Sequence, residues 1–267
     1  MATKAKKFKG IESAFTVILL CAAVAVSVFI FILGDPANFA NEDPVNGHPE
    51  NMLGTIYKGG FIVPVLQTLF LTVIVLSVER AIVLMKAMGK GKTAKFVAAI
   101  KAKLAANDIK GAQELCDKQQ GCVANVVTSV LVKYEQMEKD TRLTKEQKLA
   151  VIQQEVEEAT ALELPALNQN LPIIATLTTL GTLVGLLGTV MGMIKSFSAL
   201  ASDGAADSVA LSAGISEALI NTAFGIATGA LAVISYNFFT SKIDNLTFAI
   251  DEIGFSIVGS YAATHEK

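Results

Sequence analysis

Charge is scarce in this sequence, and the scarcity is uneven. Acidic and basic residues make up 17% of the 267 positions, where a soluble domain carries about 25%. Residues 86–163 hold 24 of the 46 charged side chains, whereas residues 166–241 hold only Lys195, Asp203, Asp207 and Glu217. A uniformly solvated globule is excluded, because one part of the chain suits lipid and another suits water. Cysteine is also sparse. Cys21, Cys116 and Cys122 make no disulfide framework, and a zinc site asks for about four ligands at short spacings. The two histidines, His48 and His265, fall in polar or terminal stretches and read as surface residues. With no nucleophile–base pair and no metal cluster in the pattern, no enzyme and no cofactor are expected. The net charge of −2, without a dense basic tract, suggests no nucleic acid partner.

What the chain has in quantity is apolar residues, at 52%, with a mean hydropathy of +0.51. Four segments, at about 14–33, 61–84, 171–200 and 209–239, are long enough or nearly so to cross a bilayer as helices. The expected fold class is therefore an all-α integral membrane protein with four transmembrane helices and long cytoplasmic helical extensions. A cleaved signal peptide is the competing reading of the first segment. Its apolar core of about 20 residues exceeds the usual 7–15, and no small-residue cleavage site follows Leu33, so a retained helix is expected.

Basic residues orient the spans. Lys4, Lys6, Lys7 and Lys9 place the N-terminus inside, and the acidic stretch 34–60, with Asp35, Glu42, Asp43 and Glu50, belongs outside. Arg80, Lys86, Lys90, Lys92 and Lys95 return the chain to the cytoplasm; the turn with Asp203 and Asp207 is outside; Lys242 brings the tail back in. The organisation expected is a tail, extra helix and periplasmic loop over 1–60, a second span over 61–85, and a cytoplasmic helical region over 86–165. Spans three and four follow over 166–241, and an amphipathic C-terminal helix over 242–267. In the cytoplasmic region Thr144 and Gln147 suit a capping box. Ile243, Leu246, Ile250, Ile253 and Ile257 recur at helical spacing, as on a face packed against a neighbour. Gly91-Lys92-Thr93 imitates the end of a phosphate loop, but Lys86 stands where the first glycine is needed and no strand precedes it.

One residue inside the spans carries chemistry. Glu217 lies about eight residues into span four, about 12 Å along a helix, and a charge at such depth costs on the order of 2.5–3.5 kcal/mol. It should face a bundle interior or a wet cavity, where burial disfavours the charged form and reversible protonation becomes feasible. No Lys or Arg is expected at a matching depth to neutralise it. A purely structural carboxylate is the alternative. Asn221, Thr228 and Ser235 share its helix face at offsets of 4, 11 and 18, with Phe224 and Leu231 as apolar interruptions. Span three presents Thr178, Thr182 and Thr189 on one face, with Thr176 and Thr179 nearby. Such hydroxyls relay protons or supply oxygens to a cation, or else bond back to their own helix. Gly181, Gly185, Gly188 and Gly192, spaced by four, three and four, predict a close helix contact within or between chains.

These residues carry a family resemblance. Gly185-Leu186-Leu187-Gly188-Thr189-Val190-Met191-Gly192-Met193 with Phe197 resembles one signature of the MotA, TolQ and ExbB ion-channel family. Gly214-Ile215-Ser216-Glu217-Ala218-Leu219, then Thr222-Ala223-Phe224-Gly225 and Tyr236-Asn237, matches its second. Both stand in the family's order, and the match looks closest to the ExbB branch. The resemblance implies a pentamer around an ExbD-like single-span dimer, a TonB-like protein further along, and proton or sodium flow in the bacterial inner membrane. It marks Glu217, Thr189 and Thr222 as the pathway group; Asn221 and Thr228 join them as candidates from the helix-face offsets alone. Three departures stand out: a fourth span, Leu231 where a proline is usual, and Asn221 where a small or hydroxylic residue is common. A TolQ-like or motility-stator role in the same family, a non-conducting membrane scaffold and a secondary transporter remain alternatives. The last is disfavoured because four spans without an internal repeat leave little room for a substrate site.

Overall fold

The computed structural model describes residues 14–44, 47–202 and 208–264. Asp203, Asp207, His265 and the basic N-terminal residues used above for orientation lie outside them. The described elements are helical, with one isolated antiparallel bridge between Phe39 and Pro49. Four helical stretches are long and apolar enough to cross a membrane: Ala14–Leu33, Ile62–Ala87, Lys145–Ser198 and Leu211–Thr264. The chain is a multi-pass helical membrane protein. It divides into two compact units, one ending its first segment at Val78 and adding Asn170–Asn237, the other formed by Glu79–Gln169 and the chain from Phe238 onward.

The apolar unit begins with α1 (Ala14–Val28), which widens into a π-helical turn over Phe29–Leu33. The stretch after it, expected only as a polar loop, is folded. Asn38 is buried and donates from Nδ2 to the carbonyls of Ile32 and Leu33, at 2.8 and 3.2 Å, so the end of the first span is capped by a side chain. Asn51 donates in turn to Asn38 and accepts from the Gly54 amide, opening the short α2 (Met52–Tyr57). Tyr57 stacks on Phe29 with ring centroids 4.7 Å apart and meets Phe39 edge-on. Helix α3 (Ile62–Ala87) follows the turn at Gly60, and α8 (Leu171–Ser202) and α9 (Ser208–Thr264) carry the two signature motifs. Leu183, Leu186, Val190, Ile194 and Phe197 stand exposed on α8, as residues facing lipid or another apolar surface do.

The charged unit holds α4 (Thr93–Ala105), α5 (Ile109–Gln119), α6 (Gly121–Lys139) and α7 (Lys145–Asn168). It contains more than extensions of spans two and three, since α4 to α6 are helices of their own. Thr144 and Gln147 form the capping box reciprocally, each accepting from the other's backbone N–H. The isoleucine stripe of α9 is buried throughout, from Ile243 to Ile257, and Gly254 lies against Val156. Arg80 departs from its expected role as a solvated flanking base. It is fully buried, bidentate to Glu79 at 2.5 and 2.6 Å, and donates to the carbonyls of Ala166 and Leu167 in the last turn of α7. A guanidinium offers five donors in a rigid fork, so it satisfies a carboxylate and two orphan helix carbonyls together.

Candidate functional site

The site is built where α8 and α9 pack on each other through small residues. A Cβ on Gly185 would sit 2.8 Å from the Cα of Gly225, and one on Gly192 would sit 2.9 Å from Ala218. Gly188 faces Asn221, and Gly181 faces Thr228. The glycine stripe thus lies against α9 of the same chain. Ser196, which the motif reading missed, bonds back to Gly192 at 3.0 Å and reaches the Leu211 carbonyl at 3.4 Å; its Oγ fills the place of a side chain on Gly214. Its buried position among apolar residues is the kind of signal only packing reveals.

Close approach brings three polar groups together. Thr189 on α8 and Thr222 on α9 share a short hydroxyl–hydroxyl hydrogen bond, and both hydroxyls also reach the Gly185 carbonyl, at 3.2 and 3.4 Å. Asn221 is buried, donates to the Gly59 carbonyl at 3.0 Å, and leaves its Oδ1 without a hydrogen-bond partner among the described residues. Thr228 is buried too, but it bonds back to the Phe224 carbonyl at 2.8 Å and presents its methyl to Gly181. That placement is helix packing. Thr178, Thr179 and Thr182 likewise bond to carbonyls of their own helix.

Glu217 is 13% exposed, and here one expectation is overturned. Lys195 does lie at a matching depth, and its Nζ donates to Glu217 Oε2 at 2.8 Å. The signal was available in the chain. Lys195 precedes the last residue of α8 by seven positions, and Glu217 follows the first residue of α9 by nine. Two helices packed antiparallel, a few residues apart in sequence, set such positions side by side. The other carboxylate oxygen faces Gly60, where a Cβ would fall 2.6 Å from Oε1. Gly60 has φ +75°, a left-handed conformation that glycine adopts without penalty. Lys58, just before this turn, is held below the usual lysine range by burial, opposed by the nearby Asp43 and reinforced by Lys195. Among the described residues no group of three or more His, Cys, Asp or Glu is placed to hold a metal ion.

The same pair of helices thus carries a carboxylate held by a lysine counter-charge and a hydrogen-bonded pair of hydroxyls. Residues 125–252 match the family model of the MotA/TolQ/ExbB proton channel family. The chain is 39% identical over 88 residues to an ExbB-like protein of Synechocystis sp., covering 32% of this chain and 42% of that one. It is 41% identical over 80 residues to the Tol-Pal system protein TolQ of Pseudomonas aeruginosa, covering 30% and 35%. The biopolymer transport protein ExbB of Salmonella typhimurium is 31% identical over 85 residues, covering 32% and 35%. The matched stretch therefore spans about a third to two-fifths of these relatives' own lengths.

Proposed function

We propose, on the match of residues 125–252 to the MotA/TolQ/ExbB proton channel family, that this chain is a member of that family and an ion-driven motor subunit of the bacterial inner membrane. Glu217 takes up and releases the ion, and the work passes through an ExbD-like single-span dimer and a TonB-like protein to outer-membrane transport. The assembly is a homopentamer around that dimer, with both termini and the charged unit in the cytoplasm. Proton and sodium are both compatible with this reading. The observation that carries it is Glu217 itself: the only acid in the apolar stretches of α8 and α9 lies mostly buried, on the same two helices as the Thr189–Thr222 hydroxyl pair. Burial of an ionisable group in a span is costly and marks ion pathways. A TolQ-like role is the second reading, supported by the 41% identity to a Tol-Pal protein.

The test is substitution within the assembled complex. Glu217→Gln keeps shape and lowers the desolvation cost, so the complex should assemble and transduce no energy. Glu217→Asp should retain part of the activity. Thr189→Val and Thr222→Val should lower it unevenly, because water replaces a lost hydroxyl where there is room. A scaffold would instead tolerate Glu217→Gln, and full activity of that assembled variant overturns the proposal. Restoration of TonB-dependent uptake rather than Tol-Pal function in a deletion strain separates the two roles.

A further inference from the structure

We propose that Lys195 is a positioning residue for Glu217, a counter-ion latch that seats the carboxylate against Gly60 until the arriving ion opens the pair. The proposal rests on the reading of Glu217 as the ion-carrying group. Neither signature motif assigns a role to position 195, so the assignment comes from geometry alone.

Three observations support it. The ammonium of Lys195 and Oε2 of Glu217 are 2.8 Å apart, while the two side chains differ sharply in exposure, 70% against 13%. The buried partner is thereby oriented by one that is free to withdraw. Oε1 is confined on its other side by the Gly60 backbone, which leaves no space for even a methyl group. The turn holding Gly60 is in turn anchored to α9 by the Asn221–Gly59 hydrogen bond. The carboxylate therefore sits between a solvent-exposed cation and the Gly60 backbone.

The charged groups around it define what opens the latch. Lys195 of α8 is the cation on Oε2, and it also acts on Lys58, before α3, which Asp43 opposes; Asn221 and the Thr189–Thr222 pair are neutral. When a proton adds to a carboxylate oxygen, the carboxyl becomes neutral and the Coulomb attraction to Lys195 disappears. The ammonium keeps its own three protons and leaves, and no other bond is made or broken. Loss of that proton restores the pair. A metal cation would have to displace the ammonium from Oε2, so the same residue sets a barrier to it.

The test uses the full chain in its native membrane complex and a hydrophobic carbodiimide, which adds to protonated carboxyls. The rate of modification at Glu217 is read by mass spectrometry. Lys195→Met should raise that rate about two- to fivefold, the range expected for losing a partly exposed ion pair. Lys195→Arg, which keeps the charge, should leave it near wild type. Where the Met variant does not assemble, Lys195→Gln serves in its place. An unchanged rate in the neutral variants, or an equal rise in Lys195→Arg, overturns the latch. The labelling reads the pair directly whether or not the complex transports, so it can fail while Glu217→Gln still abolishes activity, and the reverse.

Discussion

Gly185 and Gly225 meet backbone to backbone: a Cβ on either would lie 2.7–2.8 Å from the other's Cα. No rotamer change relieves such a contact, because the atoms in the way belong to the main chain. Gly185→Ala should therefore push α8 and α9 apart and destabilise the protein by about 1–3 kcal/mol. Gly259 provides the control. It lies within α9 with open space where its Cβ would be, so Gly259→Ala should stabilise by up to about 1 kcal/mol through helix propensity alone. Thermal unfolding of the purified complex in detergent would show opposite shifts; equal shifts would contradict the packing.

Arg80 answers a different energetic demand. It is fully buried, with Glu79 at 9% exposure and two α7 carbonyls as acceptors. Arg80→Met removes the bidentate partner of a buried carboxylate, which costs about 3–5 kcal/mol. Adding Glu79→Gln removes the charge that Arg80 faced, so the double variant should be more stable than Arg80→Met alone. A double-mutant cycle on unfolding midpoints measures this, and additive effects would show that the two side chains are not coupled.

The two cysteines of the charged unit supply a pH test. Burial pushes the Cys116 thiol up to about 11 and the Cys122 thiol up to about 12, the latter also repelled by Glu163. An unfolded cysteine titrates near 8.5. The folded state thus holds protons that the unfolded state releases, so this contribution is fully present below about pH 8.5 and is lost as pH rises towards 11 and 12. The thiolate is the reactive form, so iodoacetamide at pH 8 should modify neither residue before denaturant is added. Rapid labelling of the native complex would contradict their burial.

Much of this protein was determined locally. Four long apolar segments in a chain short of charge leave no soluble alternative, and a period near 3.6 makes helices of them. The capping box at Thr144 and Gln147 and the isoleucine stripe of α9 depend on residues within a few turns of each other, so each is legible from spacing. Glu217 stands out because an acid in an apolar span is expensive wherever it points. Tertiary structure alone decided who meets whom. The glycine stripe of α8 is self-complementary in pattern, and only the placement of α9 shows that its partner lies in the same chain. Arg80 reads as a flanking base until the end of α7, more than eighty residues later, closes over it. Thr189 and Thr222 lie 33 positions apart and Gly60 lies far from Glu217 in sequence, yet all of these are neighbours. Spacing encodes the face a residue occupies on its own helix. Which other face it meets depends on close packing of the whole set, and that packing turned a solitary acid into one held by Lys195.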